Sequence, residues 1–229
     1  SKRLSAIHET FCYPVIYYTP CSGSNEYHGN ISVDNQIFRD YARSVLSNFL
    51  RGSADAVFIM NGHGTTEGHL TEVVYGLIEG QYRADDAETV KLFSLVNVYS
   101  YRDEFAKTAG IPAGRHADWM EFLHLYKVLG KEYFNGERMS RLKDLQDKGG
   151  FDGWKKGVLG MPSVYRSKQG VLGQPLPNSN DYEGLADKMW EFFLGRIESE
   201  IKSKIDIFIK NFRDKKALQD RKTDGEFSK

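Results

Sequence analysis

The chain has 229 residues, with 31 Lys and Arg against 31 Asp and Glu, so it carries no net charge and offers no basic field to hold nucleic acid. No apolar run approaches the roughly 18 to 20 residues that span a bilayer, and the amino end, Ser1-Lys2-Arg3-Leu4-Ser5, lacks a signal-type apolar stretch. A cytoplasmic protein with no membrane partner is expected, and Cys12 and Cys21, without a zinc-finger partner, read as two reduced thiols.

Taken in chain order, residues 11–18 are aromatic and β-branched, with Pro14 marking a sheet edge or a lead-in rather than a central strand. A polar loop covers 19–30. Over 34–51 the apolar residues Ile37, Tyr41, Val45, Phe49 and Leu50 recur at helical spacing, with Asp34 as N-cap and Gly52 as the stop. Residues 55–60 (Asp-Ala-Val-Phe-Ile-Met) read as a buried strand and run into Asn61-Gly62-His63-Gly64. A helix over 66–80 and a strand over 91–99 complete a strand-helix-strand crossover, which demands parallel pairing. An α/β fold around a mainly parallel sheet follows, with helices 34–51 and 181–212 packed on it. After the turn at 110–114, a helix runs from about Arg115 through Leu129. Residues 148–173 hold seven glycines and suit a long loop. Leu185, Met189, Phe192, Phe193, Ile197, Ile201, Ile205 and Phe208 line one side of the last helix, and 213–229 is a charged tail expected to be disordered. Residues 1–212 are thus expected to form a single domain.

The junction at 61–64 is the best pointer to function. A histidine between glycines at the carboxyl end of a buried strand stands where open α/β sheets place ligands, and glycine lets the backbone turn sharply there. The competing explanation is that His63 only caps the helix starting near Thr66. A phosphate cradle at that helix start is a further alternative, although the loop has neither the Lys and glycine spacing of a P-loop nor a GxGxxG fingerprint. The second pointer is His116 with Glu121. Five positions apart, they lie about 140° from each other on a helix, so they share a site only if His116 precedes the first turn.

Several segments in this order resemble the creatininase family. Gly29-Asn30-Ile31-Ser32 is similar to its Gly-Thr-Ile-Ser turn, and Asn61-Gly62-His63-Gly64-Thr65-Thr66 to its Asn-Gly-His-Gly-Gly-Asn signature. His116-Ala117-Asp118-Trp119-Met120-Glu121-Phe122-Leu123 is similar to His-Ala-Gly-Glu-x-Glu-Thr-Ser, and Gly157-Val158-Leu159-Gly160-Met161-Pro162 to the late Gly-Val-x-Gly-Asp-Pro loop. The resemblance covers about residues 11–200. It implies a three-layer α/β/α fold, one or two divalent ions, zinc or manganese, and hydrolysis of a small cyclic amide or related carbonyl compound. It also implies a homo-oligomer, often a hexamer.

The departures count too. In the family a Glu-x-His-Gly motif and a later Asp supply most ligands well upstream of the Gly-Thr-Ile-Ser turn, so the chain is expected to lack that segment or to receive it from a partner fragment. Gly23-Ser24-Asn25-Glu26-Tyr27-His28-Gly29 nevertheless copies Gly-Ser-x-Glu-x-His-Gly, which makes Glu26 and His28 metal candidates. Thr65-Thr66 and Asp118-Trp119 stand where the family has other pairs. The resemblance implies that His63 ligates metal and that His116 passes a proton to the leaving nitrogen. Glu121 then ligates metal or orients the imidazole, while Asn61, Gly62, Gly64 and Trp119 meet the substrate. A non-catalytic binding or subunit protein of the same fold is the alternative. His69 and His124 lie on expected helices without acidic partners at ligand spacing and His8 lies near a ragged terminus, so all three are set aside.

Overall fold

A computed structural model describes residues 10–21, 27–52, 54–83, 91–113, 116–148, 171 and 173–223. The expected crossover is present. Strand β1 (Ala56–Asn61) and strand β2 (Leu92–Asn97) are parallel neighbours, in register from Ala56 opposite Leu92 to Asn61 opposite Asn97. Before them lies α1 (Asn35–Ser47), continued by a 3-10 turn over Asn48–Arg51; between them lies α2 (Glu67–Arg83), entered through a 3-10 turn over Gly64–Thr66. As the sequence required, Asp34 caps α1: its Oδ1 accepts from the amides of Gln36 (2.7 Å) and Ile37 (3.1 Å).

Alternation along the strands assigns their faces. Val57, Ile59, Phe93 and Leu95 pack with Phe38, Ala42, Leu46, Val73 and Leu77 of α1 and α2. Phe58 and Val96 point the other way, onto Ile197 and Ile201 of α6 (Tyr182–Thr223). A second core gathers Phe105 of α3 (Arg102–Ala109), Trp119, Met120, Phe122 and Leu123 of α4 (Trp119–Leu129), and Met189 and Phe193 of α6. Each such side chain contributes about 1.5–3 kcal/mol on burial. Gly110, at φ +67°, ends α3 in the left-handed conformation that suits glycine. The protein is therefore a mixed helix-and-strand fold with a small parallel sheet.

Four expectations are adjusted. Residues 11–18 form no strand: Phe11, Tyr13, Val15 and Tyr17 are exposed, and Ile16 packs on the α1–α2 core. Pro14 has no amide to donate to a ladder, and Tyr13 instead meets the edge of Phe49 with ring centroids 4.6 Å apart. Helix α4 begins at Trp119 rather than near Arg115, because Asp118 caps it. Helices α3 and α5 (Gly136–Lys148) were not foreseen. Helix α6 continues past Phe212 to Thr223, over a stretch rich in the helix formers Lys, Ala, Leu and Gln. The glycine-rich loop at 148–173 falls almost wholly outside the described residues.

Candidate functional site at the carboxyl ends of the strands

Both strands end in asparagine, and because they are parallel and in register the two side chains meet. Asn61 Nδ2 donates to Asn97 Oδ1 at 2.9 Å. Asn61, buried, turns its Oδ1 back into the loop, where the His63 amide donates to it at 3.1 Å. The Thr66 hydroxyl, also buried, lies 2.7 Å from both Asn61 Oδ1 and the His63 carbonyl oxygen; its single proton serves one at a time. On the other side, Asn97 Nδ2 donates to Glu67 Oε1 at 2.7 Å, and the Tyr99 hydroxyl donates to Glu67 Oε2. Burial of Tyr99, reinforced by this carboxylate, pushes the phenol well above its ordinary range, so it stays a neutral donor.

This chain of bonds presents His63 at the sheet's edge, half-buried. Its Nε2 lies 3.1 Å from the Pro20 carbonyl oxygen and 2.5 Å from Thr65 Oγ1, which itself lies 2.5 Å from the Pro20 oxygen. Nδ1 of His63 makes no hydrogen bond among the described residues. Gly62 and Gly64 leave open space beside the loop: a Cβ at either would meet no atom within 4 Å.

A 3-10 turn over Val98–Tyr101 carries β2 into α3, and Arg102, the first residue of that helix, reaches the second motif. Its Nη2 faces the wholly buried carboxylate of Asp118, and its Nη1 donates to Glu121 Oε1 at 3.2 Å. Asp118 Oδ1 caps α4 by accepting from the amides of Met120 (3.2 Å) and Glu121 (3.4 Å), while Glu121 Oε2 accepts from the Ala117 amide at 3.0 Å. The pair is a capping box shifted by one residue. Ala117 has φ +49°, which for a non-glycine residue is strained, and this bend sets His116 before the first turn of α4. The sequence-level condition for His116 and Glu121 to share a site is thereby met in the backbone.

The remaining expected residues fall as follows. Trp119 lies in the core rather than at a surface: it is wholly buried, its amide donates to the Gln174 carbonyl at 2.8 Å and its indole to that of Pro112 at 2.8 Å. His28 is exposed in the turn before Gly29, whose φ is +84°. Glu26 lies outside the described residues. A cavity of about 410 Å³ between α5 and the start of α6, lined by residues such as Lys143, Asp147 and Tyr182, contains none of the expected site residues. Among the described residues no three His, Cys, Asp or Glu side chains form a group that could hold a metal ion. His63 suits a ligand by type and place; Glu121 has both oxygens engaged by Arg102 and the Ala117 amide.

Sequence reading missed Asn97, Glu67, Tyr99 and Arg102. One signal was available: two strands of a parallel pair ending in Met60-Asn61 and Val96-Asn97 would bring the amides together if their ends align.

A parallel sheet with a glycine-bounded histidine at its carboxyl edge defines an α/β protein, and open sheets of that kind place their ligands at the strand ends. The family model described as creatinine amidohydrolase matches residues 1–184, and the chain belongs to this creatininase family, whose members are hydrolases of the amidohydrolase kind and typically metal-dependent. The match spans Glu26, His28, His63, His116 and Glu121. No curated protein and no solved structure matches significantly.

Proposed function

We propose that the chain hydrolyses a small cyclic amide or related carbonyl compound at the carboxyl ends of β1 and β2, within a three-layer α/β/α domain. The observation that carries this reading is the locked Asn61-Gly62-His63-Gly64 loop, inside a chain whose first 184 residues match the creatininase family. One or two zinc or manganese ions belong to the proposal, with His63 as a ligand and Glu26 and His28 as the nearest further candidates in sequence. When bound, such an ion supplies a water acidic enough to attack near neutral pH. The described residues do not complete that ligand set, so the steps assigned here belong to the protein alone. Gly62 and Gly64 leave room for a planar substrate beside the loop, and the buried Asn61 holds the loop rather than touching substrate. His116, at the strained bend, passes a proton to the leaving nitrogen. Glu121 with Arg102 fixes the bend that carries it. A homo-oligomer, or a partner fragment bringing further ligands, is part of the same proposal.

The test is metal analysis and hydrolysis by the purified protein, with creatinine and a formamidopyrimidine as substrates, before and after chelation. The reading requires activity that chelation removes and that the missing divalent ion restores, together with loss of both metal and turnover in His63→Ala. Turnover unchanged in His63→Ala would refute it. A folded protein with no turnover and no metal would instead favour a binding or subunit role.

A further inference from the structure

We propose that Glu67 is a positioning residue for the His63 loop, acting through Asn97 and Asn61; the proposal rests on His63 belonging to the hydrolytic site. A side-chain amide can bond in two orientations, and only its partners decide between them. Here the partners leave no freedom. Ionised Glu67 is acceptor-only, so Asn97 must turn its Nδ2 toward Glu67 Oε1 (2.7 Å) and its Oδ1 toward Asn61. Asn61 must then turn its Nδ2 toward Asn97 (2.9 Å), which leaves its Oδ1 to accept from the His63 amide (3.1 Å).

Reversing either amide sets donor against donor, and the reversal ends at the His63 amide. The Tyr99 hydroxyl, a neutral donor on Glu67 Oε2, holds the carboxylate in place from its far side. Glu67 itself is exposed and lies in the first turn of α2. Its side chain buries little, so its main consequence is the polarity it imposes on two amides and a catalytic loop.

Amide hydrogen exchange on the labelled full chain, with Glu67→Gln and Glu67→Ala, tests this. Gln offers a donor as well as an acceptor, so it no longer dictates which way the Asn97 amide turns, while the fixed His63 N–H still opposes reversal of Asn61; Ala removes the anchor. Protection of the His63 amide should fall about tenfold in Glu67→Ala and less in Glu67→Gln, with β1 and the interior of α2 unchanged. On whichever substrate the wild type turns over, kcat should fall about tenfold in Glu67→Ala, with KM within about twofold. Unchanged His63 protection in Glu67→Ala would overturn the proposal. So would a loss spread evenly along α2, the mark of a residue that serves only the helix end. If the wild type turned over nothing, the proposed function would fall on that result alone, while exchange at His63 would still decide the role of Glu67.

Discussion

Replacing Arg102 by leucine should destabilise the protein more than any other single exchange of a charged residue near the site. Asp118 is 0% exposed and the Arg102 side chain only 16%. Without Arg102 the carboxylate keeps two amide bonds, from Met120 and Glu121, but loses the counter-charge that Arg102 sets against it. Breaking a buried pair by removing one partner costs about 3–5 kcal/mol. The lower end applies, because Arg102 Nη2 lies against Asp118 without the alignment of a hydrogen bond and the cap amides remain. For a chain of this size that loss lowers Tm by roughly 6–12 °C. Arg102→Leu combined with Asp118→Asn should recover most of it, because asparagine caps a helix about as well as aspartate and needs no counter-ion. Urea unfolding of the two single variants and the double variant gives the coupling energy directly. A loss below about 1 kcal/mol in Arg102→Leu, or a double variant no better than that single one, would refute the electrostatic account.

Two further outcomes follow from burial. Trp119→Ala should cost about 3–5 kcal/mol in urea unfolding by opening a cavity against Phe105 and the start of α4, while leaving the affinity for zinc or manganese, as measured by calorimetry, unchanged; a selective loss of ligand binding without loss of stability would return Trp119 to the site. Burial holds the His124 imidazole below its ordinary value of 6.5, with Arg102 lowering it further and the Met120 carbonyl, Glu121 and Asp118 opposing. The unfolded chain therefore binds the proton more readily, and the contribution of His124 to stability is present above about pH 6.5 and lost as pH falls below it. In His124→Gln the drop in urea midpoint between pH 7.5 and pH 5.5 should be smaller than in the wild type, and an equal drop in both would count against this.

What could be read from residues alone was the local periodic structure. The strand pair, its parallel sense, α1 with its Asp34 cap and the start of α6 follow from apolar spacing and stop signals, which act within one element. Residues 11–18 misled because aromatic and β-branched content describes a strand's surface, whereas Pro14 acts on its ladder. Helix α4 begins later than its apolar pattern suggests because one buried carboxylate, Asp118, fixes the start.

The site was legible only where its chemistry lies within one motif. His63 stands out because glycine, histidine and the strand end are contiguous, but part of what holds its loop comes from 30 or more residues away in the chain, through Asn97 and Tyr99. The same short stretch, from Asn97 to Arg102, also reaches Asp118 and Glu121. A segment with no motif of its own thus anchors both histidine loops, and its value arises from register: β2 ends level with β1, so its last residue meets Asn61 and its continuation turns toward α4. A shift of one residue in that register would send Asn97 to the opposite face and leave the Asn61 amide buried without its partner, at a cost of about 1–3 kcal/mol. The aligned strand ends are therefore a condition of the site as much as of the fold.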